Sequence, residues 1–119
     1  MIINTPISLG ELVDKISILK IKKKNIINKE KNKLIDNELE LLEKTLEDNL
    51  NYTKIIQNYL NDLISINSKL WKIEDALREC ERKKIFNQEF IDLARSVYFT
   101  NDKRSKIKLE INKKFGSKI

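Results

Sequence analysis

The sequence contains no histidine. That removes the commonest general base, the Ser-His and Cys-His nucleophile pairs and most transition-metal sites. It has a single cysteine, Cys80, too few for an intrachain disulfide or a thiolate zinc site. Cys80 falls on an apolar row and reads as a small buried side chain rather than a reactive thiol. No spaced cluster of inward-facing acids is evident for magnesium, so no metal and no cofactor is expected. One proline, two glycines and no low-complexity linker argue against a hinge between modules. A length of 119 residues suits one domain better than two. No stretch approaches the roughly 18 apolar residues of a membrane span, and Met1 to Asn4 lack a basic segment followed by an apolar run. The expected location is the cytoplasm, of a host cell if the gene is viral.

What is present is helical patterning. Tyr52, Ile56, Tyr59, Leu63, Ile66, Leu70, Ile73, Leu77 and Cys80 fall at alternating steps of four and three, a heptad seam that predicts one long helix over about 52–84. Such a helix is on the order of 45 Å long. Leu60, Ile64 and Trp71 form a second row beside the seam, which predicts two neighbours. Ser8 and Glu11 fit a capping box opening a helix to about Ile27, with Leu9, Leu12, Val13, Ile16 and Leu19 as its core face. Asp14 and Lys15 lie beside that face and read as a solvated edge. Ile2, Ile3 and Ile7 offer apolar contacts from an extended lead-in, because Pro6 disfavours helix before it. Ile35, Leu39, Leu42 and Leu46 mark a second helix. Asn87 is the expected N-cap of a fourth. Thr100, Asn101 and Asp102 look like a restart, so the last stretch reads as two helices or one bent helix, stopped by Gly116. The fold class is all-α: an antiparallel helical bundle or hairpin of four to five helices built on the long central one.

The net charge is +6, which invites an acidic partner. The basic run Lys20 to Lys33 precedes the acids Asp36 to Asp48, so an antiparallel pair of helices partly neutralises it, and nucleic acid is not the favoured partner. All four arginines, Arg78, Arg82, Arg95 and Arg104, lie within 27 residues, and arginine is the better residue for bidentate anion binding. Glu74 and Arg78 are one helical turn apart. Arg95, Tyr98, Asn101, Asp102 and Arg104 cluster around the expected helix break, where free backbone N–H groups suit phosphate or carboxylate. The cluster has two readings. One is an anion pocket lined by Lys15, Arg78, Arg95 and Arg104; the other is that Asn101 and Asp102 cap a helix while the arginines bond carboxylates.

Three segments carry a family resemblance: Pro6 to Leu19; Leu70-Trp71-Lys72-Ile73-Glu74-Asp75; and Phe90 to Arg104 with Ile107-Lys108 and Ile111-Asn112. Together they resemble a family of short uncharacterised proteins of bacteria and their phages, one of the domains of unknown function. The resemblance implies polar site positions at Asp14, Lys15, Glu74, Arg78, Arg95, Tyr98, Asn101, Asp102 and Arg104. It also implies an association with surface glycans, hence a nucleotide-sugar or sugar-phosphate ligand. It names no reaction. The leading expectation is a small anionic ligand bound through Lys15, Glu74, Arg78, Arg95, Tyr98, Asn101, Asp102 and Arg104. Its rivals are a coiled-coil-type structural or adaptor protein, a homo-oligomer or the partner of another helix, and a non-specific nucleic-acid binder.

Overall fold

Local signals in the sequence set most of the helix ends. Ser8 Oγ accepts the Glu11 amide at 3.2 Å and opens α1, Leu9–Asn25. Asn28 caps α2, Lys29–Asn49, and Thr53 caps α3, Lys54–Lys83. Asn87 opens α4, Gln88–Lys114, as its position predicts. Such caps satisfy amides that the helix itself leaves without partners. Gly116 follows α4 with φ +67°, the left-handed conformation that ends helices at a residue lacking Cβ. The computed structural model describes residues 1–51 and 53–116. Tyr52, placed at the head of the seam, lies outside them.

Among the described residues the fold is all-α, with four helices packed on one another. Ion pairs Lys20–Glu43 (3.7 Å) and Lys23–Asp36 (2.9 Å) tie α1 to an antiparallel α2. These are the basic run and the acidic helix compensating each other, as expected. Residues Gly10 and Asp14 of α1 meet Asn112 and Arg104 of α4, which makes that pair antiparallel as well. The long helix is there and matches the longest dimension of the molecule, 48 Å. The centre of packing is α1. It lies close to each of the other three helices, whereas α2, among the described residues, approaches α1 alone by its backbone.

The core joins Leu12, Val13, Ile16 and Leu19 of α1 to Ile35, Leu39 and Leu46 of α2, Ile56, Leu60 and Leu63 of α3, and Ile111 of α4. Each fully buried aliphatic side chain contributes about 1.5–3 kcal/mol relative to exposure. The two rows expected on α3 are both used, since Leu60 is buried beside the Ile56–Leu63 seam. Ile2 and Ile3 are 74% and 76% exposed and do not bury the apolar surface expected of them, while Ile7 is 36% exposed. Among the described residues no helix is long and apolar enough to cross a membrane.

Two expectations are corrected. The restart at Thr100 to Asp102 does not occur, because α4 is continuous through it. Thr100 is instead buried inside the bundle, so no free amides are presented there. The solvated edge at Asp14 is also overturned, since its side chain has no solvent exposure. With neighbours on three sides, α1 buries polar positions along with apolar ones, Ser17 included.

Candidate functional site

Asp14 is the hub of a polar network linking three helices. Its Oδ1 accepts from Asn67 Nδ2 of α3 at 2.8 Å and from Arg104 Nε of α4 at 3.0 Å. Its Oδ2 is held by Arg104 Nη2 and lies 3.7 Å from Lys108 Nζ. Asn67 Nδ2 also donates to Ser17 Oγ at 2.8 Å, and Ser17 Oγ donates to the Asp14 carbonyl at 2.6 Å. A buried carboxylate is tolerated only when its lone pairs are met and its charge is balanced, and both conditions hold. Burial alone pushes the Asp14 carboxyl up. Hydrogen bonds from Arg104 and Asn67, with the charges of Arg104 and Lys108, outweigh it and hold the group below its usual range. The same pairing raises the Arg104 guanidinium against its own partial burial.

Close backbone approach makes the network reachable. Gly10 donates its amide to Asn112 Oδ1 at 2.7 Å, and a Cβ at Gly10 would overlap the Lys108 carbonyl oxygen. Only glycine lets α1 and α4 come this near. Lys108 then pairs with Glu11, so the capping-box glutamate reaches across to α4 and to Lys15 at 3.7 Å.

Beside the network, the α1/α3 surface opens into a groove around Trp71. One cleft of about 320 Å³ is lined by Lys20, Lys24, Ser68, Trp71 and Lys72. A second, of about 190 Å³, is bounded by Lys22, Asn67, Trp71, Glu74 and Arg104. A third holds Lys22, Trp71, Glu74, Asp75 and Arg78. Trp71 belongs to all three, and it is half-buried. Among the described residues Lys22, Lys24, Lys72 and Arg78 have no ion pair, while Lys20 is paired with Glu43. The described residues hold no cluster of acids or cysteine that would ligate a metal.

The residues expected to form one pocket are therefore divided. Arg104 and Asn101 belong to the Asp14 network, Asn101 Oδ1 accepting from Arg104 Nη1 at the long distance of 3.5 Å. Glu74 and Arg78 stand on the groove wall. Lys15 is exposed beside Glu11, and Asp102 is exposed. Arg95 lies on the outer face of α4, where it donates to Tyr98 Oη at 3.2 Å and sits 5.8 Å from the Phe99 ring centroid. The Tyr98 hydroxyl raises the Arg95 guanidinium above its ordinary value. Convergence of Lys15, Arg78, Arg95 and Arg104 on one cavity is thus corrected. Arg95 and Arg104 are nine residues apart, two and a half turns, so one continuous helix points them in opposite directions.

Asn67, Ser17 and Trp71 with its lysines were not singled out from the sequence as site residues. Ser17 falls midway between Val13 and Ile21 at four-residue steps, and Asn67 lies seven after Leu60 and three before Leu70. A polar residue on an apolar row was the available signal. In comparisons with known proteins no family model matches the sequence, no curated protein matches it, and no solved structure matches the fold.

Proposed function

We propose that the protein binds a small phosphate- or carboxylate-bearing ligand in the α1/α3 groove around Trp71. The observation that supports this reading is the meeting of three clefts at one half-buried indole. Six cations, Lys20, Lys22, Lys24, Lys72, Arg78 and Arg104, rim it against the two carboxylates Glu74 and Asp75. An indole face stacks on planar groups, and cations set at a concave, partly apolar wall hold an anion more firmly than the same charges on open surface. The carboxylates stand at the Arg78 end with Lys22, and Lys20, Lys24 and Lys72 stand at the other. A ligand with phosphate at one end and hydroxyls at the other, as in a nucleotide-sugar, matches both. The reading stops at binding and assigns no reaction.

Trp71 is the one tryptophan in the sequence, so its emission reports the groove directly. The chain is titrated with inorganic phosphate, citrate, uridine diphosphate and a uridine diphosphate sugar. A saturable change is expected with the nucleotide probes. Lys24→Ala and Lys72→Ala each weaken it about tenfold, the scale of one charge-assisted hydrogen bond. Tyr98→Ala, on the far face of α4, leaves it unchanged. A flat emission signal with every probe to about 1 mM ends this reading.

A further inference from the structure

The smaller cleft beside Trp71 contains a polar atom that the fold leaves unanswered. Asn67 is only 6% exposed, and its side-chain nitrogen is fully engaged, donating to Asp14 Oδ1 and to Ser17 Oγ at 2.8 Å each. Its Oδ1 meets no donor among the described residues, yet it is not sealed from water. Flipping the amide would set that oxygen against a carboxylate oxygen and a hydroxyl whose proton already goes to the Asp14 carbonyl, two acceptors and no donor. The network therefore fixes the amide with its acceptor left to the cleft of about 190 Å³ that Asn67 lines with Trp71, Glu74 and Arg104.

A donor stands beside this acceptor. Arg104 Nε and Asn67 Nδ2 bond the same Asp14 oxygen, at 3.0 and 2.8 Å, so they lie no more than about 6 Å apart. Nε and Nη2 of Arg104 are held by Asp14, while Nη1 has only the 3.5 Å contact with Asn101 and keeps a proton to give. Ile18, Ile21 and Leu70 complete the walls. Apolar walls with a few converging polar groups are the usual form of a small-molecule site, and this one is below the roughly 300–1,000 Å³ that encloses a whole ligand, so it takes a single ring. Charge makes that ring neutral. Asp14 balances Arg104 and Glu74 offsets Lys22 on the lining, so an anion gains more across the indole, at Lys24 and Lys72.

An acceptor beside a donor is complemented by a ring N–H beside a ring acceptor. With Nδ2 engaged, Asn67 cannot form the two-bond pairing to adenine that uses both amide atoms, whereas arginine pairs readily with a base carbonyl. We infer that this cleft is the base subsite of the groove, taking a planar lactam, the N–H and adjacent carbonyl of uracil or guanine, on Asn67 Oδ1 and Arg104 Nη1 with the ring against Trp71. The inference rests on the groove binding proposed above and adds which end of a nucleotide is recognised and by which residues.

The test follows Trp71 emission of the full chain with uridine and guanosine diphosphates, and with the same nucleotides methylated on the lactam nitrogen. At least one parent nucleotide is expected to bind. Methylation removes the donor and leaves Asn67 Oδ1 unpaired, which weakens binding at least about tenfold. Asn67→Ala, its folding checked by helical circular dichroism, weakens the parent nucleotide and abolishes the difference between parent and methylated forms. A merely structural role for Asn67 would weaken both forms alike and preserve that difference, and this result overturns the inference. Where Asn67→Ala does not fold, the comparison of the two nucleotides on the unaltered chain decides. Equal binding of parent and methylated forms overturns the base subsite and leaves the anion groove standing, as does a response to phosphate or citrate with none to either nucleotide. A flat signal with every probe overturns both.

Discussion

Body and distal arm of the α3/α4 hairpin use the same two helices to opposite ends. In the body α1 lies against α3 and α4, and Arg104 delivers its charge to a carboxylate that has left water altogether. In the arm, where α1 has ended, Arg95 rests in solvent on a tyrosine hydroxyl and an aromatic ring. Both arginines belong to α4 and differ by nine residues. The contrast shows that a third helix, rather than residue type, turns an arginine from a surface group into a structural tie, because burial removes the competing water. It also shows where apolar surface is left over, since two helices alone cannot enclose a seam.

The sharpest way to break the contrast is Asp14→Ala. It strands the Arg104 guanidinium, still three-quarters covered, without its partner, while Lys108 keeps Glu11; a loss of about 3 kcal/mol is expected in chemical unfolding. Gly10→Ala follows, at roughly 1–3 kcal/mol, because the added methyl meets the α4 backbone rather than a movable side chain. Acid sharpens the contrast without mutation. The folded Asp14 pKa lies below its unfolded value of about 3.9, so the stability it supplies is complete above that pH and is lost as pH falls through the folded pKa. Denaturant midpoints measured between about pH 5 and pH 2 should drop, and the Asp14→Asn protein should lose part of that slope. Lys84→Gly is smaller and opposite in sign. Lys84 ends α3 at φ +54°, and relieving that conformation raises stability by about 0.5–1 kcal/mol. Smallest is Arg95→Ala, whose melting temperature should match the parent within about 1 °C.

Most helices were readable from short-range pattern. Ser8, Asn87 and Gly116 mark helix ends through bonds or backbone angles that span only a few residues, and the rows Ile35–Leu39–Leu46 and Ile56–Leu63–Leu70 mark buried faces by spacing alone. The site was less legible. Thr100, Asn101 and Asp102 have the composition of a cap, and nothing local tells a cap from a polar patch that a neighbouring helix covers. Asp14 and Lys15, adjacent in sequence, were read alike, yet one is enclosed and the other is exposed.

What the sequence determined by itself is the first three helices, the start and stop of the last stretch, and the apolar stripes, because each depends on contacts within one or two turns. Only the tertiary structure decided that α1 stands at the centre, that α4 is unbroken, and that Asp14 gathers Asn67 and Arg104 from 53 and 90 residues away. The physical reason is that burial of a charge is set by what packs over it, and that cover comes from distant segments whose approach no local period encodes.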